Sequence, residues 1–472
     1  MEFSDTFRQT GNCLSFSPDG KYMATAVETR LVVRFAESQQ VAHIFSCLDR
    51  VQHVEWSADS EYVLCAMYKR AMVQVWSLYQ PEWTCRIDEG AAGMTHARWS
   101  PDCRHVITTS DFCLRFSVWS LVSGTSSSFR YPKYCDARGM SFSGDGRLLA
   151  VAERRGDCKD QVSIYSSQTF DCVHTFLPDT KDLADLSWSA DGHTLAVWDS
   201  VLEYNLLMYS SAGELLQRFS AYENALGIKG VSWSPGGDLV CVGSYDGMAR
   251  VMNVQSWVVL AELNHTATVK GPPSVVVYKE VLERDPLADV TDLGNGVQNQ
   301  LTATRYEVAK LPEKVPVAKA DPSKPNPKQG VGLQAWSPDG KLLATRNDSQ
   351  PHTVWIWDVS SLSLVSVLRQ VEPVRGFQWD PKGGHHLAVI TGGAHVYLWA
   401  PEGASSVRIP ANVSAEAVVA VDDPSKGAAS TFRASSIQWS PDGFCIALLD
   451  RESYCCAYTT GVWTHGGAET GA

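Results

Sequence analysis

Charged residues are scarce in this chain of 472 residues, at 19%, and basic ones are scarcer still: 40 Lys and Arg against 52 Asp and Glu leave a net charge of −12. Low charge beside 44% hydrophobic residues excludes a disordered chain. The acidic sign argues against non-specific binding to nucleic acid or to an anionic membrane, so neither is expected as a partner. No run of about 18 uncharged apolar residues occurs, which excludes a membrane-spanning helix. The start, Met1-Glu2-Phe3-Ser4-Asp5, has no basic segment leading into an apolar run, so no secretory signal is read. A soluble globular protein is expected.

Catalytic signatures are missing as well. There is no phosphate loop of the form G-x-x-x-x-G-K-[ST], no G-x-S-x-G elbow and no His-Glu-x-x-His pattern. His385 and His386 are adjacent and would face opposite sides of a strand, which does not suit a shared metal. The 13 cysteines include no Cys-x-x-Cys pair, and a bridge between neighbouring Cys455 and Cys456 would be strained. Without a secretory signal the thiols read as reduced, buried small hydrophobes. The same argument sets aside the glycosylation triplets at Asn264, Asn347 and Asn412, and the Arg155-Gly156-Asp157 tripeptide. No enzyme, metal or cofactor is expected.

What the chain does have is a repeat. An aromatic followed by Ser-Pro-Asp-Gly, or a degraded copy, stands at Phe16, Trp56, Trp99, Phe142, Trp188, Trp233, Trp336, Trp379 and Trp439. The spacings are 40, 43, 43, 46, 45, 103, 43 and 60 residues. Between 19 and 23 residues after each anchor, an alternating stretch carries a second large residue: Phe35, Trp76, Trp119, Tyr165, Tyr209, Met252, Trp357, Trp399 and Tyr458. Neighbours such as Val73-Gln74-Val75-Trp76 read as half-buried strands. In the turn, Pro presets φ, Asp bonds locally and Gly tolerates positive φ. Each unit therefore reads as strand, turn, strand, loop, strand and a weaker fourth strand.

Four-stranded units of about 40–45 residues resemble the WD-repeat family, whose fold is the β-propeller. Trp357-Asp358 and Tyr245-Asp246-Gly247 carry the likeness together with the nine double landmarks, whereas Gly-His openings are missing. The expected fold is all-β: one closed ring of about nine four-stranded blades over residues 1–463, with a short polar tail at 464–472. Seven or eight blades, or two unequal rings, are the alternatives. The last unit looks short of a fourth strand, which Glu2 to Phe7 can supply, removing open edges. The 103-residue spacing holds a Pro-rich insertion at 271–330, read as mobile or as a partner-docking segment. Within it, Val275 to Tyr278 and Tyr306 to Val308 could pair with blade edges. The stretch 402–433 reads as a surface loop.

Function is then expected on a surface. Loops after second strands and segments between blades emerge on one face. Tyr68, Lys69, Arg70, Arg154, Arg155, Glu203, Tyr204, Arg346 and Asn347 fall on the former; Tyr222, Glu223 and Lys229 fall on the latter. Arg and Tyr on a rigid face make interface anchors, so these twelve form the candidate docking face, against ordinary solvated loops.

Several segments resemble the centrosomal members of the family more closely. They include Cys65 to Arg70, Gln80-Pro81-Glu82-Trp83, Ala196 to Asp199, Val276 to Glu280, Ala344 to Asp348 and Phe377 to Pro381. That resemblance implies a scaffold at the centrosome or spindle pole, partnered by a coiled-coil microtubule-anchoring protein and a minus-end-directed kinesin. It also implies a part in spindle assembly and, in ciliated cells, cilium formation. The charge of −12 opposes the acidic tubulin surface, so the microtubule link is expected to be indirect. The alternatives are a translation-initiation-type propeller, expected to carry a basic patch or an added domain, and a ubiquitin-ligase substrate receptor. Against the latter, Trp198-Asp199, Trp357-Asp358 and Trp379-Asp380 lack the Trp-Asp-x-Arg form.

Overall fold

Each repeat folds outward from its turn. In the first copy Ser17 Oγ donates to Asp19 Oδ1 (2.6 Å) and accepts from the Tyr22 N–H (2.9 Å), while Gly20 takes φ +75°. The same hydroxyl-to-carboxylate bond recurs at Ser57–Asp59, Ser143–Asp145, Ser337–Asp339 and Ser440–Asp442, at 2.5 to 2.6 Å. These serines are buried, so the hydroxyl and the turn satisfy one another away from water. Degraded copies keep the geometry under strain: Ser60 and Cys103 hold the glycine place at φ +62° and +58°.

The computed structural model describes residues 1–272, 274–284, 302–321, 323, 327–410 and 432–459. Among these residues the strands form nine antiparallel blades, spanning 14–46, 53–88, 96–130, 140–176, 183–219, 228–264, 331–369, 376–408 and 436–458. In each blade the first strand pairs with the second, the second with the third and the third with the fourth. The described residues contain no α-helix, and no helix is long and apolar enough to cross a membrane.

Neighbouring blades lock through the anchor aromatics. The Nε1–H groups of Trp56, Trp99, Trp379 and Trp439 donate to the carbonyls of Ser15, Glu55, Ala335 and Gln378, one blade back, at 2.9 to 3.2 Å. Trp336 reaches Ser232 in the same way at 3.3 Å. Where the fourth anchor is Phe142, Arg98 lies over its ring at 5.0 Å, a cation–π contact in place of the hydrogen bond.

The chain start completes the last blade. Glu2–Phe3 and Phe7–Arg8 pair with Ser453–Tyr458, Phe7 stacks on Tyr454 at 5.4 Å, and Gln9 Nε2 donates to Asp450 O at 2.7 Å. Leu14, Phe16 and Met23 of the first blade bury against Cys445, Ala447 and Tyr454 of the ninth, which shuts the ring.

Three expectations need correction. The insertion at 271–330 is not a mobile excursion over its described part. Val276–Arg284 pairs in parallel with Ser363–Arg369, and Thr302–Val308 adds to it, giving the seventh blade six strands. Val and Tyr drive this: Val277 is buried, and buried Glu280 accepts from the Tyr397 hydroxyl and the Val371 N–H, both at 2.7 Å. The rest of the insertion, at 273, 285–301, 322 and 324–326, lies outside the described residues, as does the tail at 464–472. Within the supposed loop at 402–433, Gly403–Arg408 is the fourth strand of the eighth blade, and 411–431 lies outside the described residues. Finally, Cys113 and Cys135 form a disulfide with Cα atoms 5.0 Å apart. Twenty-two residues and a blade boundary separate them, a proximity that only the folded ring creates. Of the remaining cysteines most are buried, and burial pushes the Cys13 thiol up to about 11.

Deleting residues 1–9 should expose the edge of Ser453–Tyr458 and leave the ring open. Light scattering is expected to show concentration-dependent oligomers and calorimetry a lower melting temperature; a monomer that melts unchanged would deny the strand its closing role.

Candidate partner-binding face

Of the twelve sequence-predicted residues, eight fall in second-to-third-strand loops or between blades, whereas Arg154, Arg346 and Asn347 end second strands and Lys229 lies within a first strand; they form three groups. The first sits over blades one and two. Tyr68–Arg70 is a single 3-10 turn ended by left-handed Ala71, φ +53°. The Lys69 N–H donates to Gln52 Oε1 (3.0 Å), and Arg70 Nη1 donates to Leu48 O (3.2 Å) with its Nε 3.7 Å from Asp49. Tyr68 is half-buried against His53, and burial pushes its hydroxyl up to about 12. Lys69 and Arg70 point into solvent from this rigid base.

The second group, over blades four and five, is largely consumed by the fold. Lys133, which sequence reasoning missed, has a side chain only 5% exposed and bonds Asp160 (2.8 Å), Asp182 (2.7 Å) and Leu183 O (2.6 Å). Arg154 joins it through Asp182 at 3.1 Å. Arg155 stays exposed, 3.7 Å from Asp157.

The third group spans blades five to seven. Tyr204 is 4% exposed, its ring edge-on to Tyr222 at 4.8 Å, and Tyr222 donates to Leu226 O at 2.6 Å. Lys229 reaches Asp348 (2.5 Å) and Gln329 O (2.8 Å), and Arg346 holds the other Asp348 oxygen at 2.7 Å. Burial acts to raise the Asp348 carboxyl, but those two cations outweigh it and hold it below its ordinary value. Asn347 is buried and accepts from the Ser349 N–H at 2.9 Å. Glu203 pairs with Lys181, while Glu223 is exposed on the rim of a pocket of about 480 Å³ shared with Tyr222, Tyr245 and Gln329. Tyr204, Arg154, Lys229, Arg346 and Asn347 are therefore braces between strands and blades, not free anchors. Lys69, Arg70, Arg155 and Glu223 remain available.

Buried polar links tie the same face to the core. His265 donates Nδ1–H to Gly247 O (2.8 Å), so its Nε2 accepts from the Thr345 hydroxyl (2.8 Å), and Thr345 accepts from Trp357 Nε1 (2.9 Å). Burial lowers the His265 pKa to about 4, against the smaller opposing pulls of the Gly247 carbonyl and Asp246. Ahead of blade three, buried Glu89 plays this part, accepting from Thr108 and from Trp119 Nε1. Both links lie in irregular segments between blades, without the Gly-His pairing that would have marked them. Among the described residues no group of three or more His, Cys, Asp or Glu could hold a metal ion.

The WD domain, G-beta repeat model matches residues 213–253. Over 464 residues the chain is 43% identical to the WD repeat-containing protein WRAP73 of Mus musculus, covering 97% of this chain and 96% of that protein. The chain belongs to the WD-repeat family. It is also 22% identical, over 96% of its length and 90% of the other, to an uncharacterized WD repeat-containing protein of Schizosaccharomyces pombe. Among solved structures, the C-terminal WD40 domain of Sif2 aligns at a TM-score of 0.49 and 12% identity, covering 86% of this chain and 98% of that one. WD-repeat propellers are a protein-interaction family.

Two predictions follow from the buried links. Lys133→Met leaves the Asp160 carboxylate, also 5% exposed, only the longer Arg154 contact at 3.4 Å and the Leu183 N–H, and should cost at most about 3–5 kcal/mol, read as a fall in melting temperature that Asp160→Asn partly restores. His265 is neutral in the fold and titrates near 6.5 when unfolded, so its contribution is whole above pH 6.5 and is lost as pH falls toward 4, about 3 kcal/mol in all. The melting temperature of His265→Gln should accordingly fall less steeply than wild type between pH 7 and pH 5, the window of that shift; equal slopes would remove His265 from the acid response.

Proposed function

We propose that this WD-repeat protein is a non-enzymatic scaffold of the centrosome or spindle pole, supporting minus-end anchoring of microtubules, spindle assembly and, in ciliated cells, cilium formation. Its partners on this reading are a coiled-coil microtubule-anchoring protein and a minus-end-directed kinesin. The observation that carries the interaction role is the rigid display on one face: exposed Lys69 stands free and exposed Arg70 is braced by Leu48 O and Asp49, on a turn whose backbone is held by Gln52. A surface ordered before binding loses less conformational entropy when a partner arrives. The cellular setting is supported by the resemblance of Cys65 to Arg70 and the companion segments to centrosomal members of the family.

Changing Tyr68, Lys69 and Arg70 together to Ala should abolish partner capture from dividing cells while circular dichroism stays unchanged. Capture is expected to bring down a coiled-coil centrosomal protein with the tag at spindle poles. Ribosomal proteins or ligase subunits with diffuse signal would favour the translation or ubiquitin readings instead. The purified chain alone, at −12, should not co-sediment with microtubules at physiological salt.

A further inference from the structure

Three segments converge at the corner of blades one and two. The turn at 28–29 accepts the Cys47 N–H at Thr29 O (2.7 Å) and the Val51 N–H at Glu28 O (2.8 Å). The segment 47–52 in turn holds the turn Tyr68–Arg70 through Leu48 O and Gln52 Oε1, and the Leu48 N–H is fixed by Gln74 Oε1 at 2.9 Å. These main-chain groups are therefore satisfied within the fold, and most of the side chains left over are charged. Arg30, Arg50, Lys69 and Arg70 are exposed, facing two carboxylates, exposed Glu28 and half-exposed Asp49. Asp49 is already 3.7 Å from Arg70, and the side chains of Arg30, Arg50 and Lys69 form no ion pair or hydrogen bond among the described residues. This is a surplus of positive charge on a chain whose net charge is −12.

At physiological salt, charges beyond about 8 Å are largely screened, so a ligand at this corner meets the local surplus and not the acidic whole. Exposed Leu48, 47% accessible, adds an apolar contact at the centre of the cluster. We propose that this corner docks an acidic segment of a protein partner, with Arg50, Lys69 and Arg70 each meeting an Asp or Glu carboxylate and Leu48 packing against an apolar side chain between them. Guanidinium groups bind carboxylates through two parallel N–H bonds, which suits the two arginines, and the ammonium of Lys69 needs no fixed approach. The inference deepens the scaffold reading by naming the chemistry of the docked segment. It depends on that reading only in treating this face as the docking face.

The test uses the full purified chain and a fluorescein-labelled peptide of Glu, Gly and Leu, followed by anisotropy at low and at physiological salt. The triple change Arg50→Glu, Lys69→Glu, Arg70→Glu should weaken binding by about tenfold or more. At physiological salt a control with the same change in charge at blades four and five, Arg155→Glu, Lys159→Glu, Lys181→Glu, should shift it by less than about threefold, since salt screens charges that do not touch the peptide. Replacing the three corner residues by the other cation, Arg50→Lys, Lys69→Arg, Arg70→Lys, should keep most of the binding. Equal weakening by the two glutamate triples would overturn the proposal, because net charge alone would then account for binding. So would a wild-type chain that ignores the acidic peptide at low salt, or one that takes only its phosphoserine counterpart. Since no cellular partner enters this assay, it can fail while capture at spindle poles succeeds, and the reverse.

Discussion

The ring depends on one contact repeated around it: the anchor aromatic of each blade, wedged against the blade before. The large ring removes apolar area from water, and the indole N–H of five tryptophans finds a carbonyl on the preceding innermost strand. The residue just before an anchor then serves the next blade: Glu55 and Gln378 accept the main-chain N–H of Trp99 and Trp439 through their side chains. A blade is thus placed by its predecessor and places its successor. Where the pattern changes it changes on both sides, as at Arg98 over Phe142. The indoles of Trp188 and Trp233 lack an acceptor among the described residues and contribute packing only, although the Trp188 main-chain N–H donates to Ser141 Oγ one blade back.

A structure in which every unit needs two neighbours has no natural end, so the ring must be shut. Strands Glu2–Phe3 and Phe7–Arg8 do this from the far end of the chain, at the cost of no extra blade. The other irregularity, the insertion before blade seven, obeys the same rule. Its two strands cover an outer edge that would otherwise present unpaired main-chain groups, and Glu280 stitches that cover to blade eight.

The polar face divides along a physical line. Groups drawn between blades, such as Lys133 with Asp160 and Lys229 with Asp348, are desolvated and must be paired, because an isolated charge there is too costly. Groups on turns whose main chain is already satisfied need no partner within the molecule. The same residue types therefore brace the fold in one place and stand free to meet a partner in another.

Sequence by itself determined the class, the repeat and its punctuation. Aromatic landmarks at two phases and a Ser-Pro-Asp-Gly turn are local requirements, met within a few residues, and the nine blades lie where they stand. The paired runs at Val276 and Tyr306 were visible too, as short β-forming stretches in a Pro-rich segment. Which of the twelve surface candidates are free was not legible: Tyr68-Lys69-Arg70 and Arg346-Asn347-Asp348 look alike as strings, yet Asn347 is buried and Arg346 braced while Lys69 is exposed. Only the tertiary structure decided that, as it decided the Cys113–Cys135 bridge and the burial of Lys133. Burial and pairing depend on what the next blade brings to within a few ångströms, and the ring sets that neighbour some forty residues away in the chain.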